Sequence, residues 1–236
     1  YWQTTLGFGM HPEAYHVQRP VSAPSAGGLL TAVQGLQQGV VLKISDDPDG
    51  EYRIKVDVPL LLGNNDGIWA RLIQFYASSG KGSFFLPEPG DEVILGFLNN
   101  DPRFPVIVGS VYGTQNKPKY TPDAQNSIKA IVTKNNLKIE LDDKNKVLTI
   151  STPGGNQFVL SDKDKSILVK DQSGNKIEMT NSGISLDSIK DVNIKAKGKI
   201  SLNAVQDISL SATGGNVNLD GLNVEAKAKV AASVQG

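Results

Sequence analysis

The 236-residue chain is long enough to bury a sizeable core without cross-links, and its lack of cysteine excludes a disulfide framework or a thiolate metal site. Its 24 basic and 24 acidic residues balance, so it lacks the charge excess typical of proteins that bind nucleic acids or anionic membranes. No stretch approaches the roughly 18 apolar residues that span a bilayer, and the N-terminus lacks a signal-peptide pattern. In residues 1–34, glycine and proline interrupt every candidate strand or helix, which predicts an irregular connector.

Between residues 35 and 115, short strands are predicted to alternate with turns. In residues 52–58 the apolar Tyr52, Ile54, Val56 and Val58 alternate with Arg53, Lys55 and Asp57, which is the period of a half-buried strand. Further strands are predicted at residues 40–44, 68–76, 92–98 and 106–111, separated by segments rich in glycine, proline, asparagine and aspartate. About five strands in this length are typical of a small barrel such as the oligonucleotide/oligosaccharide-binding (OB) fold.

From residue 116 to residue 236, the pattern predicts repeated short strands joined by tight turns. It is most regular near the end, where Val192-Ile194-Ala196, Ile200-Leu202-Ala204 and Ile208-Leu210-Ala212 follow one another every eight residues. Because alternate side chains point to opposite faces of a strand, each unit has an apolar face and a face of lysine, serine and asparagine. The repeat therefore predicts an up-and-down meander with one apolar face.

That apolar face needs a cover, and no helix or second sheet of matching length is predicted to supply it. Three copies that each form one wall of a triangular prism would bring their apolar faces together on a threefold axis. Small residues at a constant place in each unit, Ala196, Ala204 and Ala212, suit the narrow corners of such a prism. The predicted fold class is all-β, an OB-fold barrel followed by a trimeric antiparallel β-helix (β-prism), a rod on the order of 55 Å long.

Two parts of the barrel region resemble a known family. Residues 82–103 (GSFFLPEPGDEVILGFLNNDPR) and 105–111 (PVIVGSV) resemble the OB-fold signature of VgrG and related phage baseplate hub-spike proteins, and residues 39–56 resemble that family's first hairpin. The resemblance covers residues 35 to 236 and is closest to the spikes of extracellular contractile injection systems and type VI secretion systems. It implies a structural central spike that punctures a target envelope, and no enzymatic activity.

The same resemblance implies a set of partners. The chain would be a homotrimer with a cone-shaped tip protein (PAAR-like) at its C-terminal end, inner tube and baseplate proteins at its N-terminal side, and an effector as possible cargo. Residues 1–34 would be a connector from the family's N-terminal hub, which is missing from these 236 residues. The particle would assemble in the bacterial cytoplasm, be secreted or injected, and pierce the target membrane mechanically.

Three local features mimic catalytic or metal sites, and each is interpreted as structural. His11 and His16, with Glu13 between them, lack the further ligand and defined face of a metal site and are predicted to be exposed loop residues. Residues 46–51 (DDPDGE) lack the spacing of an EF-hand and are predicted to form a hairpin turn. Residues 79–83 (SGKGS) lack the spacing of a phosphate loop and are predicted to be a flexible strand connection. We therefore predict no catalytic residue, cofactor site or metal site.

Two alternatives of other classes stay open. An OB-fold module that binds oligosaccharides or single-stranded nucleic acid could stack its ligand on Trp69, Phe75, Tyr76, Phe84, Phe85 and Phe97. The balanced charge disfavours nucleic acid, and most of these aromatic residues lie in apolar runs that would fill the barrel or the trimer seam. A phage tail-fibre-like adhesin would share the repeats, but the barrel motif belongs to hub-spikes.

Overall fold

The computed structural model describes residues 31–59, 66–227 and 229. The described residues are almost entirely β-structure and irregular chain, which confirms the predicted fold class. None of their helices has the length and apolar character needed to cross a membrane. Most of the predicted connector, residues 1–30, lies outside the described residues.

Five strands close into a barrel between residues 37 and 110. The strands of this region are β1 (Gln37–Lys43), β2 (Ile54–Asp57), β3 (Ile68–Leu72), β4 (Ala77–Ser78), β5 (Lys81–Gly82), β6 (Glu92–Phe97) and β7 (Pro105–Ser110). The barrel order is β1-β2-β3-β7-β6, with β6 paired back to β1 and with β3 and β7 parallel. Strands β4 and β5 form a separate hairpin, so the strand predicted at 68–76 ends at Leu72, where the chain leaves the barrel.

The barrel interior is filled by apolar side chains from alternate positions of the strands. Its buried members are Val41, Ile54, Val56, Val58, Ala70, Val93, Leu95, Phe97 and Ile107. The face predicted from alternation in β2 is thereby confirmed, except at its first residue. Tyr52 is 92% exposed with a φ of 58°, because the backbone is still turning before β2 begins at Ile54.

Strand β1 lies close to both of its neighbours at Gly39. A Cβ at this position would lie 2.6 Å from Cγ1 of Val56 and 2.8 Å from Cδ1 of Leu95, closer than side-chain carbons approach in folded proteins. Only glycine therefore fits where β1 passes over the packed core of the small barrel.

Seven more strands form an antiparallel meander in which each strand pairs with the next along the chain. They are β8 (Ile128–Val132), β9 (Lys138–Asp142), β10 (Val147–Ser151), β11 (Gln157–Ser161), β12 (Ser166–Lys170), β13 (Lys176–Thr180) and β14 (Gly183–Asp187). Valine, isoleucine and leucine at alternate positions favour these strands. The meander predicted for this part of the repeat is confirmed, with tight turns between successive strands.

The most regular part of the repeat differs from the prediction. Residues 188–227 contain no strand, although bends recur at 189–190, 197–198, 205–206, 213–215 and 221–222, eight residues apart from start to start. The strand-and-turn period is present, but the ladder that would make a meander is absent from the single chain. The reason is that these short units have no neighbour within the chain with which they form a sheet.

The described residues divide into two compact units. The first runs to Lys134 and includes Glu140–Lys144, and the second comprises Asn135–Ile139 and the residues from Asn145 onward. The domain boundaries predicted from composition, after residues 34 and 115, stay predictions.

Candidate assembly interface

Strands β11–β14 carry an apolar face with no cover in the single chain. The strand registers place Phe158, Val169, Ile177 and Leu186 side by side in one column, and Leu160, Ile167, Met179 and Ile184 in a second. Exposure in the first column runs from 37% at Phe158 to 55% at Leu186. Contiguous apolar columns with this exposure mark a surface for association. We call these two columns the apolar face.

The opposite face of the same strands is mostly polar. Strand pairing sets Lys176 opposite Asp187, with 3.7 Å between Nζ and a carboxylate oxygen, and Nζ also lies 3.2 Å from Glu178. The hydrogen bond from Nζ to Glu178, followed by the field of that carboxylate, raises the pKa of Lys176. Val159 and Leu168, which face each other across two strands, are half-buried apolar exceptions. The sheet therefore has one face suited to water and one suited to a partner.

Residues 192–226 also expose apolar side chains that have no cover in the single chain. Ile194, Leu202, Leu210 and Leu219 are 72%, 67%, 66% and 69% exposed. Their segments belong to no strand among the described residues, so the backbone lacks the ladder that usually satisfies its N–H and C=O groups. The apolar side chains and the backbone polar groups of this region therefore contact either water or another chain.

Two glycine-asparagine corners join successive turns of the meander. The side-chain oxygen of Asn156 accepts a hydrogen bond from the backbone N–H of Gln172 (3.0 Å). In the next corner, the side-chain oxygen of Asn175 accepts one from the N–H of Ile189 (3.0 Å), and Asp171 accepts from the N–H of Asn175 (2.9 Å). The roles of Asn156 and Asn175 were missed in the sequence analysis. The recurring dipeptides Gly155-Asn156 and Gly174-Asn175 were the signal that could have identified them.

The aspartate-rich segment 46–51 is organised by one carboxylate. Asp47, whose side chain is 6% exposed, accepts hydrogen bonds from the backbone N–H groups of Asp49 (3.2 Å), Glu51 (2.8 Å) and Arg53 (3.1 Å). It also receives the Arg53 guanidinium, with Nε 3.0 Å from one oxygen. The side-chain hydrogen bond from Arg53, supported by the backbone donors, holds the pKa of Asp47 far below its usual range. The Asp47 carboxylate thus stabilises the hairpin turn.

Loss of this carboxylate should weaken the barrel in a pH-dependent way. A folded pKa below the unfolded value of 3.8 means that ionised Asp47 stabilises the fold above that pH, and that this contribution is lost as the pH falls through the folded pKa. We therefore expect Asp47→Asn to lower the urea midpoint at pH 7 and to approach the wild-type midpoint as the pH falls below 3.8. Glu51→Gln, at an exposed side chain of the same turn, is the matched control. A difference that stays constant with pH would contradict this role.

Residues 79–83, predicted to be a flexible connection, form the tip and return strand of the β4–β5 hairpin. Ala77 pairs with Gly82 and Ser78 with Lys81, so the segment is an ordered turn. A phosphate loop would lead into a helix, whereas this segment leads into irregular chain before β6. The segment is a strand connection, as predicted. The prediction that this connection is flexible was wrong, because its residues form a paired hairpin.

The six aromatic residues proposed as stacking platforms do not form a single platform. Phe97 is in the barrel core, and Phe75, Tyr76, Phe84 and Phe85 flank the β4–β5 hairpin. Trp69, on β3, is half-buried in a cavity of about 410 Å³ that Arg53, Arg71, Arg103 and Phe104 also line. Arg53 is held by Asp47, and Arg103 by Asp101 at 2.9 Å from Nε, so two of the three guanidinium groups are already engaged.

His11 and His16 lie outside the described residues, as does Glu13. Within residues 31–59, 66–227 and 229, no three histidine, cysteine, aspartate or glutamate side chains cluster so that they could hold a metal ion. The expectation that the chain has no catalytic, cofactor or metal site stays a prediction.

Two family models match the chain on either side of residues 113–145. Residues 37–112 match the type VI secretion system/phage-baseplate injector OB domain, and residues 146–226 match the phage baseplate V C-terminal trimerisation domain. The first match contains the closed barrel, and the second contains both the apolar face and the repeats at 192–226. The chain therefore belongs to the injector proteins of type VI secretion systems and phage baseplates, as the resemblance predicted.

Within this class, the chain is similar to VgrG spike proteins. It is 33% identical to the type VI secretion system spike protein VgrG3 of Vibrio cholerae over 106 residues, 43% of this chain and 10% of that protein. It is 39% identical to the spike protein VgrG1a of Pseudomonas aeruginosa over 56 residues, 24% of this chain and 9% of that protein. It is also 38% identical over 77 residues to the actin cross-linking toxin VgrG1 of V. cholerae, 31% of this chain and 7% of that protein.

The chain spans a tenth or less of the length of these relatives where it matches them. The trimerisation domain supports a homotrimer, which is the cover that the apolar face requires. Two of these relatives are named as spike proteins of type VI secretion systems.

Proposed function

We propose that the chain is the barrel-and-needle portion of a structural central spike in a contractile injection apparatus. One observation carries this proposal: the apolar face and the repeats without a ladder lie together within residues 146–226, the trimerisation domain. Three chains around an axis would bury the exposed leucine and isoleucine side chains against one another. They would also provide the backbone partners that residues 188–227 do not find within one chain.

Such an assembly suits a mechanical task. Hydrogen-bond ladders shared between three chains, around a dry apolar axis, resist both bending and separation of the chains, because close-packed interiors deform little. The proposed needle would transmit axial force to the target envelope. A cone-shaped tip protein (PAAR-like) or an effector would sit at its C-terminal end, and inner tube and baseplate proteins would bind at the N-terminal side. The particle would assemble in the bacterial cytoplasm before secretion or injection.

The proposed role requires no catalytic residue. The barrel interior is occupied by nine buried apolar side chains, so the barrel holds its shape without an internal ligand. The toxin activity in the name of one relative describes that protein, and the matched segment is 7% of it.

The mass of the purified chain in solution tests the proposal. We expect light scattering and native mass spectrometry to give three times 25.2 kDa at micromolar concentration, and electron microscopy to show a thin rod. A stable monomer would contradict the spike and favour the binding-module alternative. In that case, fluorescent oligosaccharides and oligonucleotides should bind saturably, and Trp69→Ala should abolish the binding at the cavity lined by the three arginines.

A further inference from the structure

The β4–β5 hairpin presents the densest group of exposed aromatic side chains among the described residues. Phe75 is 89% exposed, Phe84 81%, Phe85 59% and Tyr76 52%. They flank the two short strands at residues 77–78 and 81–82, so all four lie within eleven residues of chain. We call these four residues the hairpin cluster. Single exposed aromatic residues are common on protein surfaces, whereas four on one short hairpin form an association surface.

The hairpin cluster is held in one arrangement by polar contacts at the base of the hairpin. The backbone N–H of Ser83 donates to the carbonyl of Tyr76 (2.8 Å), and the Ser83 hydroxyl donates to Oε1 of Gln74 (3.0 Å). The side-chain amide of Gln74 in turn donates to the carbonyl of Phe85 (3.1 Å). Gly82 completes the turn with a φ of 138° and leaves no room for a Cβ, which would lie 2.4 Å from the Tyr76 carbonyl oxygen. A surface ordered before binding loses little conformational entropy on association.

The hairpin also lacks the charges that keep an exposed surface in water. Lys81 is the only lysine, arginine, aspartate or glutamate between residues 72 and 87. In the barrel strands, by contrast, exposed positions carry Lys43 and Arg71, and the half-buried position between Ile54 and Val56 carries Lys55. An apolar surface that is nearly free of charge is suited to burial at the core of an interface.

We propose that the hairpin cluster packs against neighbouring copies of the same barrel in the trimer. This inference rests on the proposed function, because it requires the trimer. Once residues 146–226 have trimerised, each barrel is joined by its own chain to an assembly that holds two other barrels, at effective concentrations on the order of millimolar for a short connection. A second copy of the barrel is then the partner most often encountered. In a threefold assembly, the hairpin cluster can contact the same cluster of the other two copies near the axis, or a different surface of one neighbouring copy. Both arrangements bury the hairpin cluster.

The inference is tested by a photo-crosslinker at the cluster. We would replace Phe84 by p-benzoylphenylalanine, which preserves an aromatic side chain, and irradiate the purified full chain. Denaturing gels should show covalent species at two and three times 25.2 kDa. The same replacement at Tyr52, which is 92% exposed on the β1–β2 turn, is the matched control and should leave the chain at its single mass.

A second measurement uses the absence of native cysteine, which makes the thiol of F84C or of Y52C unique in the chain. In the trimer, maleimide should react at least tenfold more slowly with F84C than with Y52C, and unfolding in urea should equalise the two rates. A trimer that gives no interchain product from position 84 and equal labelling rates would overturn this inference alone. A monomeric mass for the unmodified chain would overturn the proposed function as well.

Discussion

Leu202→Asp is expected to abolish the trimer. Leu202 is 67% exposed in the single chain and is the central apolar residue of the eight-residue unit Ile200-Leu202-Ala204. In a threefold assembly, the substitution would place three carboxylates together near the axis, each with a desolvation cost of several kcal/mol and without a cationic partner. We expect light scattering to fall from three times 25.2 kDa to the single mass, or the protein to aggregate.

Asn203→Asp is the matched control for this change. It introduces the same carboxylate one residue later, where the strand period places the side chain on the polar face. We expect its trimer to survive with little change in thermal midpoint. If both variants stayed trimeric, or if both dissociated, the assignment of Leu202 to the apolar interior would be wrong.

The second large effect is expected in the barrel. Leu95, on β6, is fully buried and is among the largest side chains of the core. Leu95→Ala removes apolar contacts and leaves a cavity, and substitutions of this kind cost about 2–5 kcal/mol. We expect the urea midpoint of the barrel to fall accordingly, measured by the fluorescence of Trp69 on β3 in a Trp2→Phe background, so that a single indole reports.

Leu98→Ala provides the same chemical change at an exposed position. Leu98 is 52% exposed in the short 3-10 turn after β6, so its truncation removes little buried area. We expect its effect to stay within about 1 kcal/mol, because surface substitutions seldom exceed that. Equal losses for the two variants would mean that Leu98 is covered in the assembly, and the comparison should then be repeated below the concentration at which the trimer dissociates.

The alternation of β2 was predictable because a strand that lies between a core and solvent shows a period of two in its own residues. Ile54, Val56 and Val58 are buried as the pattern predicts. Tyr52 belongs to the same pattern, yet it is exposed, because Asp47 draws the N–H of Arg53 into the turn and β2 begins only at Ile54. This contact joins residues six apart in sequence, so a periodicity argument does not detect it.

The trimer interface was predicted in part. The apolar repeat indicated that a cover was needed, and a match to a trimerisation domain supports the homotrimer. The period in residues 192–226 did not show whether the strands pair within the chain or with another chain. Periodicity predicts which face of a strand each side chain occupies, but it does not predict which neighbouring strand supplies the hydrogen bonds. The absence of strands in residues 188–227 shows that these units do not form a sheet within the single chain, and pairing with other chains is part of the proposed function.

By itself, the sequence determined the local features of this protein: the strand periods, the turn chemistry, the segregation of apolar and polar faces and the absence of disulfides. These follow from residue type and spacing. Only the tertiary structure decided which strands close the barrel, that Gly39 lies where β1 passes over the core, that β4–β5 leaves the barrel as a hairpin, and that Phe75, Tyr76, Phe84 and Phe85 remain exposed. Whether an apolar residue is buried depends on what the rest of the fold brings against it, and that is a property of long-range contacts.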